Sequence, residues 1–267
     1  MTFEQEKTIE LIKNDARKHK SITGIILCGS LAKNTENENS DVDIFVIVDN
    51  NKFEKRKLTK DYFVGTIFNQ SNYPVYIDGK IINKDFLRKI WTEGNECIKN
   101  TFSQVKLIYS IDNEIDELIK IMDTTNYSKD ENIRKFYSLM KSYKLKADDD
   151  MDNIIQIKHS IFFTVFFACR LVLAHNDIFY PCVKNMEKEI RNCINKPKNF
   201  LEKIHKVLET YSFDELEKFY EETEEYFKEY RFDDKIRRGY VIENECYWFL
   251  EKSHIVKYSY CKSGYFA

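Results

Sequence analysis

Two aspartates one residue apart, Asp41 and Asp43, carry the clearest chemistry in the sequence. They open the run Asp41-Val42-Asp43-Ile44-Phe45-Val46-Ile47-Val48-Asp49, a strand pattern whose far end is apolar on both faces. Such a strand belongs in the middle of a sheet with helices on each side. Strand residues two apart project from one face, so the two carboxylates repel each other. Folding alone gives no reason for that placement, and a divalent cation relieves it. Hard oxygen ligands suit Mg²⁺, which keeps waters and is often shared with substrate phosphates. Upstream, with ten residues between Ser30 and Asp41, Gly29-Ser30 ends the apolar run Thr23–Cys28. Glycine lets a backbone approach a ligand closely, and the amides of a helix start with the Ser30 hydroxyl form an anion site. An anion site beside a metal site is what nucleoside triphosphate chemistry requires.

Gly29-Ser30, the polar spacer and Asp41-Val42-Asp43 together resemble the nucleotidyltransferase superfamily typified by DNA polymerase beta and the antibiotic nucleotidyltransferases. That resemblance implies a mixed sheet flanked by helices, two Mg²⁺ ions, and transfer of a nucleoside monophosphate with release of pyrophosphate. It implies that Gly29 and Ser30 hold the leaving phosphates and that Lys33 touches phosphate. Asn34 stands where the family often has glycine, and asparagine tolerates positive φ better than most residues. The family's third carboxylate is expected at Asp78, which ends the apolar run Val75-Tyr76-Ile77. There it would complete the metal site or take the proton of the acceptor hydroxyl. Asp85 is the competitor, but it falls in the first turn of an expected helix and simply favours the helix dipole. Lys80, two residues beyond Asp78, is placed to share its face.

The sequence divides near residue 128. Residues 1–128 read as the α/β (α+β) part: a helix over Thr2–His19, strands at Thr23–Cys28, Asp41–Asp49, Asp61–Asn69 and Pro74–Ile82, a helix over Asn83–Gly94, a strand at Val105–Tyr109 and a helix over Ile111–Met122. Residues 129–267 read as an all-α bundle. Its centre is Met151–Ala174, apolar almost all round between Ile161 and Ala174. Pro181 and Pro197 mark breaks or first turns of further helices, and Phe213–Tyr230 is an acidic amphipathic helix. The segment from Phe232 onward gives no clear element. At the corner after the central helix, Tyr180 and Lys184 join an aromatic ring to a cation, which suggests Tyr180 as a base-stacking or hydroxyl contact and Lys184 as a contact to the triphosphate. A shorter, competing pattern, Arg170-x4-His175, is similar to the motif of helical ribonuclease domains.

Composition narrows the function classes. The 267 residues hold 42 Lys+Arg against 44 Asp+Glu, a formal net charge of −2. That balance argues against a nucleic-acid partner, which needs a basic excess. The run Ile161–Phe167 is too short for a membrane span, and the polar N-terminus does not read as a secretory signal. Seven cysteines without a CxxC pair suggest reduced thiols and a cytoplasmic setting rather than structural zinc. The expected activity is Mg²⁺-dependent transfer of a nucleoside monophosphate, AMP from ATP first, to a hydroxyl of a small-molecule acceptor such as an aminoglycoside. Nucleotidylation of a protein or a tRNA, and a non-catalytic nucleotide-binding module, stand as alternatives. The acceptor and the oligomeric state are not legible.

Overall fold

The computed structural model describes residues 1–94, 96–122, 129–149, 153–231 and 233–245. The chain divides into two compact units, one built on Met1–Asn126 and the other on Tyr127–Tyr265. The residue-128 boundary expected above lies outside the described residues.

The first unit runs α1 (Phe3–Lys18), β1 (Ile22–Leu27), α2 (Gly29–Lys33), β2 (Val42–Val48), α3 (Asn50–Thr59), β3 (Ile77–Ile82), α4 (Lys84–Glu93), α5 (Glu96–Phe102), β4 (Lys106–Ser110) and α6 (Asn113–Met122). The strands form one sheet in the order β3-β2-β1-β4. β1 pairs antiparallel with β2 and β4, and β2 pairs parallel with β3, so the sheet is mixed. Its two faces are both apolar, as the double-sided pattern of β2 requires. One face carries Ile25, Leu27, Val42, Ile44, Val46 and Ile81 against Ile9, Ile12 and Ala16 of α1. The other carries Ile26, Phe45, Ile47 and Ile82 against Leu87 and Ile90 of α4, Ile98 and Phe102 of α5, and Ile115 of α6.

Two expectations are corrected here. Residues 61–69 form no strand. Val64–Thr66 is a 3₁₀ turn, and only Phe63 makes an isolated bridge, to Lys80. The buried Arg56 holds this segment in its turn, donating to Asp61 Oδ2 at 2.5 Å and to Thr66 Oγ1 at 2.8 Å. The following strand starts at Ile77 rather than Pro74, after a second 3₁₀ turn at Gln70–Asn72. Conversely, α4 has the expected limits: Asn83 is its N-cap, accepting from the Phe86 amide, and Gly94 is its C-cap.

The second unit is helical: α7 (Lys129–Asp149), α8 (Ile154–His175), α9 (Val183–Asn192), α10 (Phe200–Thr210), α11 (Phe213–Tyr226) and α12 (Asp234–Glu245). α8 is its centre and packs against α7, α9, α10 and α11. Fourteen of its residues, from Ile157 to Ala174, are buried. By length and composition α8 is apolar enough to cross a membrane, which the shorter run Ile161–Phe167 did not suggest, but most of it is buried inside this unit. Among the described residues, Cys28, Cys169, Cys182 and Cys193 are free and buried.

Candidate active site

The Gly-Ser corner and Asp43 meet at one end of the sheet. β1 ends at Leu27, and the Cys28 amide donates to the Asp43 carbonyl at 2.9 Å. The chain then turns through Gly29 with φ +65° into the single helical turn of α2. A Cβ at Gly29 would lie 2.0 Å from Asp43 Oδ2. Only a residue without a side chain allows this approach, and left-handed φ favours glycine independently. Asn34 ends α2 in the left-handed region, φ 55° and ψ 38°, and Lys106 of β4 fixes it by donating to its Oδ1 at 2.7 Å and to the Leu31 carbonyl at 3.3 Å.

Asp78 joins this corner through strand register. Asp43 and Asp78 are paired positions on the parallel strands β2 and β3. Paired residues of neighbouring strands, about 4.8 Å apart, show their side chains on the same face. Phe45 and Lys80 form the next such pair on that face. Asp43, Asp78 and Lys80 line one small cleft with Cys28, Phe45 and Thr101. Between Asp78 and Lys80, Gly79 lets β3 close on β2, since a Cβ there would meet the Ile44 carbonyl oxygen at 2.0 Å. Burial pushes the Cys28 thiol well above its ordinary range; Asp43 and Asp78 push it further, while Lys80 and Lys33 pull it back. The thiol therefore stays protonated beside two carboxylates and two ammonium groups, and is no nucleophile.

Asp41 is half-buried and lies one residue before β2. Its following amide, Val42, donates to the Tyr76 carbonyl at 2.9 Å. Lys33 is half-buried, and its ammonium donates to Asn100 of α5, at 2.9 Å to Oδ1 and 3.3 Å to the carbonyl. Asp85 is half-buried on α4 and paired with Arg88 at 2.5 Å, as a first-turn helix residue would be. Among the described residues, no three His, Cys, Asp or Glu side chains converge closely enough to cage a metal alone. The donors at this corner are carboxylate oxygens, which suit a hard cation bound through one or two carboxylates plus substrate phosphates.

Residues 9–97, which contain the Gly29-Ser30 corner, Asp41, Asp43 and Asp78, match the family model of the nucleotidyltransferase domain. This segment is a nucleotidyltransferase domain. A solved structure similar to the chain is that of the nucleotidyltransferase-like protein from Exiguobacterium sibiricum 255-15, at 12% identity and a TM-score of 0.43, covering 91% of this chain and 78% of that one. Among curated proteins, none matches the chain.

Sequence reasoning did not single out Cys28, Phe45 or Thr101 as lining this domain's cleft. Phe45 carried a signal, since it follows Asp43 by two along β2. Thr101 comes from α5, which no motif connects to the Gly-Ser corner.

The remaining sequence-derived residues belong to the second unit. Tyr180 was expected to offer a stacking surface, but its ring is 3% exposed. It packs edge-on to Phe166 with centroids 5.5 Å apart, and the Arg170 guanidinium lies 5.0 Å from its centroid. Arg170 also lies over Phe136 at 4.1 Å. Burial lowers the Arg170 pKa to about 10, so it stays charged at neutral pH. His175, the other half of the Arg-x4-His pattern, packs against Phe227, Tyr230 and Tyr226 with centroids 5.3, 6.0 and 6.1 Å away. Lys184 is exposed in the first turn of α9. The acidic face of α11 is partly neutralised: Lys203 pairs with Glu222, Lys206 with Glu215 at 2.9 Å, and Lys228 with Glu225 at 2.7 Å.

Proposed function

We propose that the protein transfers a nucleoside monophosphate, AMP from ATP in the first instance, to a hydroxyl of a small-molecule acceptor, using Mg²⁺. The observation that carries this reading is the direct apposition of Gly29 and the Asp43 carboxylate, with Asp78 in register beside them. Asp41 and Asp43 would hold the Mg²⁺, with the nucleotide's phosphates completing the ligand set. The ion would supply charge neutralisation at the phosphates. The Gly29 and Ser30 backbone and the Ser30 hydroxyl would bind the leaving pyrophosphate, and Lys33 and Lys80 would offset its charge. Asp78 would take the acceptor's proton or serve as a further metal ligand. In the transfer, the acceptor oxygen bonds to the α-phosphorus as the bond from that phosphorus to the pyrophosphate oxygen breaks. The protein's part is placement and electrostatics, with no covalent intermediate. The small-molecule acceptor rests on analogy with antibiotic-modifying enzymes of similar two-part architecture.

A second reading is a non-catalytic nucleotide-binding module, which would bind nucleotide without turning it over. Pyrophosphate release separates the two. The assay supplies Mg²⁺ and each of four nucleoside triphosphates with aminoglycosides, lincosamides, tRNA or proteins as acceptor. Acceptor-dependent release that Asp43→Asn abolishes supports transfer. Release that survives Asp43→Asn refutes the metal assignment, and nucleotide binding without release with any acceptor supports the module.

A further inference from the structure

Gln5 is a fully buried glutamine on the first turn of α1, and its two amide ends do different work. Its Oε1 accepts from the Thr2 backbone amide at 2.8 Å, while Thr2 Oγ1 accepts from the Gln5 amide at 3.3 Å. This reciprocal pair is the capping box that starts α1. A glutamate would make the same box, so the helix itself does not require the Nε2 end. Nε2 instead reaches across to the loop between Ser30 and Asp41. It donates to the Asn37 carbonyl at 2.9 Å and to the Ser40 carbonyl at 3.0 Å, using both of its hydrogens.

The Ser40 carbonyl belongs to the peptide that leads into Asp41. Asp41 precedes the first residue of β2 and lacks a place in the strand ladder. Two hydrogen bonds therefore bracket its backbone: Gln5 Nε2 to the Ser40 carbonyl before it, and the Val42 amide to the Tyr76 carbonyl after it. Fixing both flanking peptide planes fixes the direction in which the Asp41 side chain leaves the chain. We propose that Gln5 is a positioning residue for the Asp41 carboxylate, acting through the Ser40 peptide. This rests on the reading of Asp41 as a ligand given under Proposed function. It assigns the loop a fixed anchor outside the Gly-Ser and Asp-x-Asp motif.

The decisive variant is Gln5→Glu. It keeps the side chain's length and the capping box but replaces the double donor with an acceptor facing two carbonyl oxygens. Mn²⁺ alone, titrated by electron paramagnetic resonance, reports the metal affinity of wild type, Gln5→Glu and Asp43→Asn. Hydrogen exchange on the metal-free proteins reports the order of α1 and of residues 35–42. Gln5→Glu should weaken Mn²⁺ about 10–100-fold, the usual effect of removing an outer-shell partner. Residues 35–42 should exchange faster while α1 keeps its protection, and excess Mn²⁺ should restore kcat, which a loss of folded protein would not permit. A folded Gln5→Glu whose Mn²⁺ affinity stays within about twofold of wild type overturns the proposal. If Gln5→Glu does not fold, the apolar isostere Gln5→Met, which removes the capping-box acceptor as well, takes its place with the same two Mn²⁺-affinity outcomes. Wild-type protein that binds no Mn²⁺, or binding that Asp43→Asn leaves unchanged, defeats the ligand reading instead.

Discussion

At the scale of single residues, the site depends on two places where atoms are closer than an ordinary side chain allows, Gly29 and Gly79. Gly29 is one: its left-handed φ and the 2.0 Å between a hypothetical Cβ and Asp43 Oδ2 point to the same residue type for independent reasons. Gly29→Ala should cost about 1–3 kcal/mol of stability through backbone strain. It should reduce transfer about 100-fold by displacing Asp43. Thermal melts and pyrophosphate release measure the two effects separately, and an active, fully stable alanine variant would show that the approach is dispensable. Tyr180 gives the opposite case. Among the described residues its buried hydroxyl has no hydrogen-bond partner, and burial pushes its pKa up to about 12 against the pull of Arg170. A buried, unsatisfied hydroxyl contributes nothing to stability. Tyr180→Phe should therefore leave stability unchanged or raise it by about 1 kcal/mol in denaturant titrations. Nucleotide affinity should not move; a loss of about tenfold would reinstate the hydroxyl as a ligand contact.

At the scale of elements, what was legible followed hydrophobic pattern and capping chemistry. β2 declared itself because it is apolar on both faces, and α4 because Asn83 and Gly94 bracket it. α3 was not legible: only Arg56 is buried on it, so it has no apolar stripe to read. Residues 61–69 misled because Phe63, Val64, Ile67 and Phe68 carry strand-forming side chains, while Arg56 and Gly65 hold a turn. The corner itself was readable because a motif spans it; Thr101 was not, because tertiary packing alone brings α5 to the cleft. α8 supplies a test of element chemistry at its C-terminal end. Burial among Phe227, Tyr230 and Tyr226, then Lys129, holds the His175 pKa below its ordinary 6.5, with Glu229 and Asp177 opposing. The unfolded chain takes up this proton near 6.5 and the folded chain only at lower pH. The stability involved is full above that value and is lost as pH falls through the folded pKa. Between about pH 7.5 and about pH 5, the melting temperature of His175→Phe should therefore fall less than that of wild type. Equal falls would show that other groups set the acid response.

At the scale of the whole molecule, charge separates the acceptor classes. A nucleic-acid acceptor must have its phosphates neutralised by clustered cations, and each such contact steepens the dependence of affinity on salt. The chain has 42 basic and 44 acidic side chains, so no excess exists to cluster. In the second unit, Lys203, Lys206 and Lys228 are already paired with Glu222, Glu215 and Glu225. Releasing one of these lysines to a phosphate would leave a glutamate beside the incoming anion, which repels it. The same pairing weakens the acidic surface as a lure for a polycationic antibiotic, so an acceptor would be recognised by shape and hydrogen bonds more than by long-range attraction. Labelled tRNA and duplex DNA should accordingly bind no tighter than about 100 µM in about 50 mM salt, the weak end of non-specific binding. Filter binding at about 50 and about 200 mM salt checks this. Submicromolar tRNA binding with a steep salt slope would move the acceptor from a small molecule to a nucleic-acid end, leaving the reading of Gly29, Asp41, Asp43 and Asp78 intact.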